Sequence, residues 1–211
     1  VHLGHKVILN TVAQEADKRG GESVVVTFDP HPRKVLSGRA DLLTTFPEKK
    51  VIIESCGIDN LIVIPFTKEF SLIGYDDFMK DYIIGKLGAE VLVVGYDHNF
   101  GRDKKGNYDS LTQDSNERMP EIIMVGEADA GGEKVNSTKI RRLISDGDLA
   151  GAARLLGHPY FAVGPIGPGG TFETADPDKL MPPAGEYKVD LTTGGTAMSA
   201  IARIADGTLR I

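Results

Sequence analysis

The sequence predicts an α/β fold, in which helices cover both faces of a parallel sheet. Short runs of β-branched residues alternate with segments of helical period, and the links between them are brief. The residues with unusual chemistry follow two of these runs, where the carboxyl ends of parallel strands form ligand sites. These observations predict both the architecture and the edge of the sheet at which a site should lie.

The chain opens with a helix and a strand. Apolar residues recur at close to helical period over residues 5–19, and the pair Gly20-Gly21 ends the helix. The run SVVVTF at residues 23–28 has the composition of a buried parallel strand. The next segment, DPHPR at residues 29–33, contains two prolines, which predict a stiff, extended loop that presents its histidine and arginine.

The same alternation continues to residue 156. It predicts helices over residues 47–56, 75–87, 137–146 and 149–156, and strands over residues 61–64, 90–94 and 121–125. After Pro159, glycine and proline concentrate, helical period disappears and short β-like runs occur. We therefore expect two domains, an α/β domain at residues 1–159 and a small C-terminal β appendage at residues 160–211.

Charge and composition argue against several classes of protein. The net charge of −6 disfavours general nucleic-acid binding, and a site for anionic nucleotides would need local Lys or Arg and a divalent cation. No apolar run approaches the length that spans a membrane. The single cysteine, Cys56, provides no disulfide framework and fits a reducing cytoplasm. The composition specifies no oligomeric state.

The start of the chain suggests a longer sequence. The first residue is Val1 rather than Met, and a doubly wound sheet would have a strand immediately before the first helix. We therefore expect that a strand precedes this residue in the intact protein.

The first five residues, VHLGH, suit the binding of a phosphate. The helix that follows leaves its first N–H groups unpaired, and its dipole is positive at this end. Gly4 removes a side chain where a nucleotide would approach, and His2 and His5, at positions i and i+3, could both reach one phosphate. The alternative is a pair of surface histidines without a ligand.

A second possible phosphate site is the segment VNSTKIR at residues 135–141. Ser137 and Thr138 stand at a predicted helix start, where hydroxyl and N–H groups can hold a phosphate. Arg141 lies one turn later and could bind a phosphate through paired hydrogen bonds. The pattern also fits an ordinary helix cap followed by a surface arginine.

Seven ordered segments give the sequence a specific family resemblance. They are VHLGH, VVVTFDPHPRKVL, LLTT, GIDNLIVIPFTKEF, GYDHNFG, VNSTKIR and GDLAGAARLLGHPY. In these segments the chain resembles the adenylyltransferase module of bacterial FAD synthetase, which is usually fused to a riboflavin kinase. The resemblance covers residues 1 to about 160. It implies a Rossmann-like nucleotidylyltransferase fold and an enzyme that transfers AMP from ATP to FMN, with Mg²⁺, giving FAD and pyrophosphate.

The resemblance also implies roles for particular residues. The residues expected to stabilise the transferred phosphate, and so to be catalytic, are His2, His5, Ser137, Thr138 and Arg141. The residues expected to bind the nucleotide and the flavin are Gly4, Asp29, Pro30, His31, Pro32, Phe66, Asp97, Asn99 and Phe100. Prolines and an aromatic ring can stack on an isoalloxazine at little entropic cost. The alternative is a rigid turn and a core aromatic, which fits Phe66 in particular. No residue is assigned to Mg²⁺.

The sequence departs from the family pattern at several positions. Asn136 stands where the family commonly has Ser, and His98 and Asn99 stand where it often has an aromatic and a basic residue. In the appendage, FETAD at residues 172–176 is the nearest match to the Pro-Thr-Ala-Asn stretch of the kinase, with Glu173 and Asp176 replacing Pro and Asn. We therefore expect a shortened kinase-like remnant without kinase activity.

Two alternatives remain open. The chain could be another HxGH nucleotidylyltransferase, acting on pantetheine phosphate, a nicotinamide nucleotide or glycerol phosphate, although TFDPHP and GYDHNFG argue against these substrates. It could instead be a flavin- or nucleotide-binding protein that has lost catalysis, although His2, His5, Ser137 and Arg141 are intact.

Overall fold

The computed structural model describes residues 1–96 and 119–211, which fall into two compact units. The parallel-strand unit contains Leu3–Ala40 and Lys50–Val135, and the antiparallel-sheet unit contains Val1–His2, Asp41–Lys49 and Asn136–Ile211. Parallel strands in one unit and an antiparallel sheet in the other confirm the predicted fold class. The domain boundary between residues 159 and 160 stays a prediction.

The described elements follow the predicted order. The helices are α1 (Leu3–Arg19), α2 (Pro32–Ser37), α3 (Phe46–Glu54), α4 (Tyr75–Phe78), α5 (Ser137–Ser145) and α6 (Leu149–Leu156). The strands are β1 (Val24–Asp29), β2 (Asn60–Pro65), β3 (Val91–Gly95), β4 (Glu121–Val125), β5 (Thr171–Phe172), β6 (Gly185–Thr193), β7 (Thr196–Ala205) and β8 (Thr208–Arg210).

Among the described residues, the parallel-strand unit has four strands, which form two parallel pairs. β1 pairs with β2, in register from Val24↔Asn60 to Asp29↔Pro65, and β3 pairs with β4. Since the strands of a parallel pair run in the same direction, their carboxyl ends meet at one edge. The loops that follow β1 and β2 therefore begin side by side, as the predicted ligand site requires.

The predicted helix at residues 75–87 has an unexpected geometry. After α4 the chain continues as a π-helix over Met79–Ile84, with its hydrogen bonds lengthened to i→i−5. The N–H of Gly85 donates to the carbonyl oxygen of Lys80 at 2.9 Å, and a Cβ at this glycine would lie 2.8 Å from that oxygen. The glycine thus permits the wider turn, which keeps Tyr75, Met79 and Ile83 buried against Val94.

The DPHPR segment also differs from its prediction. It is extended only as far as His31, and Pro32 begins the short helix α2. A proline at the first helical position loses no hydrogen bond, because that N–H would have no partner within the helix. The His31 imidazole caps this helix, its Nδ1 accepting a hydrogen bond from the backbone N–H of Arg33 at 3.1 Å.

The antiparallel-sheet unit combines a helix pair with a four-stranded sheet. Ile140, Ile144, Leu155 and Leu156, on α5 and α6, are at most 1% exposed and form its core. The strand order is β5-β8-β7-β6, and a two-residue turn joins β6 to β7. Both residues of that turn are glycines with positive φ, as the tight hairpin requires.

The amino ends of β1 and β2 are joined by the side chains of Ser23 and Asp59. The carboxylate of Asp59 accepts hydrogen bonds from the backbone N–H and the hydroxyl of Ser23, at 2.8 and 2.7 Å. The Ser23 hydroxyl oxygen in turn accepts from the backbone N–H of Asp59 at 2.8 Å. These bonds fix the register of the parallel pair, and the one from the hydroxyl contributes most to lowering the pKa of the Asp59 carboxyl.

We expect Ser23→Ala to lower the urea midpoint of unfolding, and to lower it less in acid than at neutral pH. A carboxyl whose pKa is lowered in the folded state stabilises the fold at every pH above its pKa in the unfolded state, which is about 3.9. This stabilisation is lost as the pH falls through the pKa of the folded state. The measurement is the difference between wild-type and variant midpoints at about pH 7 and about pH 3. An equal difference at both values would remove Asp59 ionisation from the explanation.

Candidate active site

The predicted phosphate site at residues 135–141 lies at the start of α5. Asn136 is the N-cap, and its side-chain oxygen accepts a hydrogen bond from the backbone N–H of Lys139 at 2.9 Å. Ser137 and Thr138 then form the first turn, with Ser137 half-buried and Thr138 exposed. The predicted helix start is confirmed, and the residue regarded as a departure from the family pattern serves as its cap.

Arg141 lies one turn into α5 and is held by the backbone of a distant segment. Its Nε donates a hydrogen bond to the carbonyl oxygen of Asp41 at 2.8 Å. The side chain is half-buried, whereas the neighbouring Arg142 is exposed and forms an ion pair with Asp146 at 3.5 Å. The tertiary contact orients the Arg141 guanidinium, which distinguishes it from an ordinary surface arginine.

The segment that holds Arg141 is Asp41–Lys49, which includes the LLTT motif and the start of α3. Thr45 and Glu48 are fully buried, and the Glu48 carboxylate accepts a hydrogen bond from the Thr45 backbone N–H at 2.9 Å. This is half of a capping box, whose sequence signature is Thr or Ser followed three residues later by Glu. The Thr44 hydroxyl accepts a hydrogen bond from the backbone nitrogen of Val1 at 2.7 Å, next to His2.

A buried ion pair lies beneath this segment. The Lys179 ammonium donates to the Glu48 carboxylate at 2.6 Å, and the two side chains are 1% and 0% exposed. Burial lowers the pKa of Lys179, and the attraction of Glu48 opposes that shift. Lys179 is not among the predicted site residues, since nothing in its sequence neighbourhood predicts that a lysine of the appendage is buried. For Glu48, the capping-box pattern Thr45-x-x-Glu48 in the sequence predicts a contact with the backbone at the start of a helix.

The two histidines of VHLGH belong to different compact units. His2 lies in the antiparallel-sheet unit and is half-buried. Gly4 and His5 lie in the first turn of α1, in the parallel-strand unit, and His5 is exposed. The helix start predicted for this motif is confirmed.

The residues predicted to bind the flavin meet at the carboxyl ends of β1 and β2. The backbone N–H of Phe66 donates to the carbonyl oxygen of Asp29 at 3.3 Å, and the Asp29–Pro30 peptide bond is cis. The Phe66 ring packs edge-on against Phe28 and Phe70, with centroids 5.4 and 5.8 Å away. Asp29 and Phe66 therefore lie side by side, as predicted. Phe66 also belongs to an aromatic cluster, which is what its interpretation as a core aromatic predicts.

The remaining predicted binding residues, Asp97, Asn99 and Phe100, lie outside the described residues. Within residues 1–96 and 119–211, no group of three or more His, Cys, Asp or Glu side chains could hold a metal ion. None of the helices in the same ranges is long and apolar enough to cross a membrane.

Comparison with protein families agrees with this arrangement. A family model described as FAD synthetase matches residues 1–139, which contain VHLGH and the start of α5, including Ser137 and Thr138. The chain belongs to the FAD synthetase family. The predicted resemblance is therefore confirmed.

Curated relatives extend the similarity beyond the family model. The chain is 33% identical to a bifunctional riboflavin kinase/FMN adenylyltransferase of Listeria monocytogenes, a match that covers 97% of this chain and 68% of the relative. A protein with the same description from Bacillus subtilis is 32% identical with the same coverage. A FAD synthetase of Listeria monocytogenes is 30% identical over 90% of this chain and 77% of its own length.

A solved structure has the same fold. It is a crystal structure described as a macrolide-efflux protein from Streptococcus pneumoniae, with a TM-score of 0.85 and 26% sequence identity. The match covers 99% of this chain and 80% of the other. The match supports the fold described above. The name of the Streptococcus pneumoniae protein applies to that protein alone.

We expect Asn136→Ala to destabilise the protein by about 1 kcal/mol, because the N-cap hydrogen bond to Lys139 is lost. Asn136→Ser should be close to neutral, since a serine hydroxyl caps a helix equally well. Urea unfolding followed by circular dichroism measures both changes. Equal stabilities for the alanine and serine variants would show that the side chain of residue 136 does not cap α5.

Proposed function

We propose that the chain transfers the adenylyl group of ATP to FMN. An oxygen of the FMN phosphate attacks the α-phosphorus, a new P–O–P bond forms, and the bond to the β-phosphate breaks to release pyrophosphate. The observation that carries the proposal is the FAD synthetase family match over residues 1–139. The geometry at α5 supports it, because it offers the groups that this chemistry uses.

The start of α5 supplies positive electrostatic potential for the phosphates. The first N–H groups of a helix have no partner within it, and the helix dipole favours an anion at this end. Ser137 and Thr138 add hydroxyl donors, and Arg141 adds a charged donor that the Asp41 carbonyl orients. In phosphoryl and nucleotidyl transfer, positioning and charge stabilisation supply most of the catalysis. We assign the β- and γ-phosphates of ATP to these three residues.

His2 and His5 are assigned to the α-phosphate, where negative charge develops in the transition state. An imidazole N–H can donate a hydrogen bond to a phosphate oxygen, and a protonated imidazole also adds positive charge. Gly4 leaves room beside them for the nucleotide. These groups stabilise the transferred phosphate without a covalent intermediate.

Mg²⁺ is the divalent ion that this family uses with ATP. The described residues contain no cluster of three carboxylates, histidines or cysteines, so they do not form a cage for it. Mg²⁺ in nucleotide sites is commonly held by substrate phosphates, water and one or two carboxylates. We therefore assign no residue to the ion, which would neutralise phosphate charge when it is bound with ATP.

The flavin ring is assigned to the edge where β1 and β2 end. Pro30 and Pro32 make the backbone rigid, His31 caps α2, and Phe66 adds a half-buried aromatic ring. A rigid apolar surface binds a planar ring system at low entropic cost. Asp29 lies at the same edge, where a carboxylate can accept a hydrogen bond from a ring N–H or a ribityl hydroxyl.

The central experiment is to incubate the purified protein with FMN, ATP and Mg²⁺ and to separate the products by chromatography. We expect FAD and pyrophosphate, and no FMN or FAD from a parallel mixture that contains riboflavin in place of FMN. His5→Ala and Arg141→Ala should each lower turnover by roughly 10²-fold or more, because each removes a donor to the transition state.

Arg142→Ala is the matched control for Arg141→Ala, because Arg142 is exposed on the same helix. This replacement should leave turnover unchanged. Binding of FMN and ATP without pyrophosphate release would favour a non-catalytic binding protein. Wild-type turnover in His5→Ala or Arg141→Ala would remove that residue from the mechanism.

We expect Phe66→Ala to raise KM for FMN far more than KM for ATP, because it removes one wall of the flavin site. Phe78→Ala is the control, because Phe78 contacts Phe70 in the same aromatic cluster but lies one ring farther from the strand ends. The control variant should have a lower melting temperature, and its KM for FMN should not rise more than its KM for ATP. The same change in both KM values for Phe66→Ala would assign this ring to packing alone.

A further inference from the structure

The segment that follows residue 159 is joined to the segment Asp41–Lys49 by backbone hydrogen bonds. Leu42 lies beside Lys179 in a parallel bridge, where its N–H donates to the carbonyl oxygen of Asp178 at 2.8 Å. Its carbonyl oxygen accepts from the N–H of Leu180 at 2.9 Å. The Tyr160 hydroxyl donates to the carbonyl oxygen of Leu180 at 2.5 Å. Residues 160–180 thus pack against the LLTT motif.

The Lys179 ammonium uses all of its hydrogen-bonding capacity in this contact. It donates to the Glu48 carboxylate at 2.6 Å, to the carbonyl oxygen of Phe161 at 2.9 Å and to that of Leu43 at 3.0 Å. An ammonium has three N–H donors, so none is left for water. It also lies 4.2 Å from the centre of the Tyr160 ring. The three acceptors match in number the three rotatable donors of a lysine ammonium.

The Glu48 carboxylate accepts two hydrogen bonds in addition to the one from Lys179. One oxygen accepts from both Lys179 and the Thr45 N–H, and the other accepts from the N–H of Val163 at 3.1 Å. The carboxylate therefore fixes the residue at which α3 begins and joins it to the chain after residue 160. The residues just before α3 contact Arg141 and Val1, the neighbour of His2.

Two of those contacts lead directly to the proposed site. The Thr44 hydroxyl accepts from the backbone nitrogen of Val1, which adjoins His2, and the Asp41 carbonyl accepts from Arg141. Lys179 and Glu48 hold the backbone that lies between and beside these two contacts. A shift of that backbone would move His2 and Arg141 relative to each other.

We propose that Lys179, paired with Glu48, is a positioning residue for the adenylyl-transfer site, so that residues 160–180 form part of this site rather than a separate remnant. The inference rests on the proposed function. The alternative is that the pair contributes only stability. A buried ion pair is weak evidence for stability, because apolar residues of similar volume often serve as well or better.

The test compares Lys179→Met with the double variant Glu48→Gln/Lys179→Met. The single variant leaves an unpaired buried carboxylate and should lower the melting temperature strongly. The double variant removes both charges and should regain most of that stability. Positioning predicts that its kcat for FAD formation stays at least about 10-fold below wild type, because small displacements of catalytic groups are costly. KM for FMN should change little.

Lys188→Met is the matched control, because Lys188 is an exposed lysine on β6 of the same unit and its replacement should change neither kcat nor stability. All assays are run at a temperature at which circular dichroism shows each variant to be folded. A double variant that regains both stability and wild-type kcat would overturn the inference and leave the proposed function intact. A double variant that does not fold would also count against it, since the pair would then determine stability. A wild-type protein that makes no FAD would overturn the proposed function itself.

Discussion

The buried ion pair of Lys179 and Glu48 is the contact that joins the Asp41–Lys49 segment to the chain after residue 160. Removing two charges from water is costly, and the cost is offset only when both groups are fully hydrogen-bonded. Here the ammonium has three acceptors and the carboxylate has three donors. The partners are 131 residues apart in sequence, so this contact is a tertiary one. It places the LLTT segment, and with it the backbone that contacts Arg141.

The segment that most resembles the kinase stretch, FETAD at residues 172–176, has a local structural role. In FETAD, the Thr174 hydroxyl donates to the carbonyl oxygen of Asp176 at 2.9 Å. The Asp176 carboxylate accepts from the N–H of Asp178 at 2.9 Å, and its carbonyl oxygen accepts from the N–H of Lys179 at 3.0 Å. These bonds form a turn that directs Lys179 into the interior. The threonine and the carboxylate of this segment therefore shape the backbone.

The site proposed for the flavin has a different physical origin. The parallel pairing of β1 and β2 aligns their carboxyl ends, which brings Asp29 beside Phe66 without any contact specific to a ligand. At the opposite ends of the same strands, the Ser23 and Asp59 side chains fix the register. The position of the candidate site thus follows from strand pairing, while its chemistry follows from the residues that happen to end each strand.

The sequence by itself determined the α/β class, the order of most described elements and the start of α5 at Ser137, because helical period, β-branched runs and helix caps are local signals. It also determined the family, through ordered motifs. Only the tertiary structure decided that Asp41 orients Arg141, that Phe66 joins an aromatic cluster and that Lys179 is buried. Each of these depends on which distant backbone meets a side chain, and neither composition nor period encodes that pairing. The π-helical stretch before Gly85 has the same cause, since it is packing that keeps Tyr75, Met79 and Ile83 on one buried side.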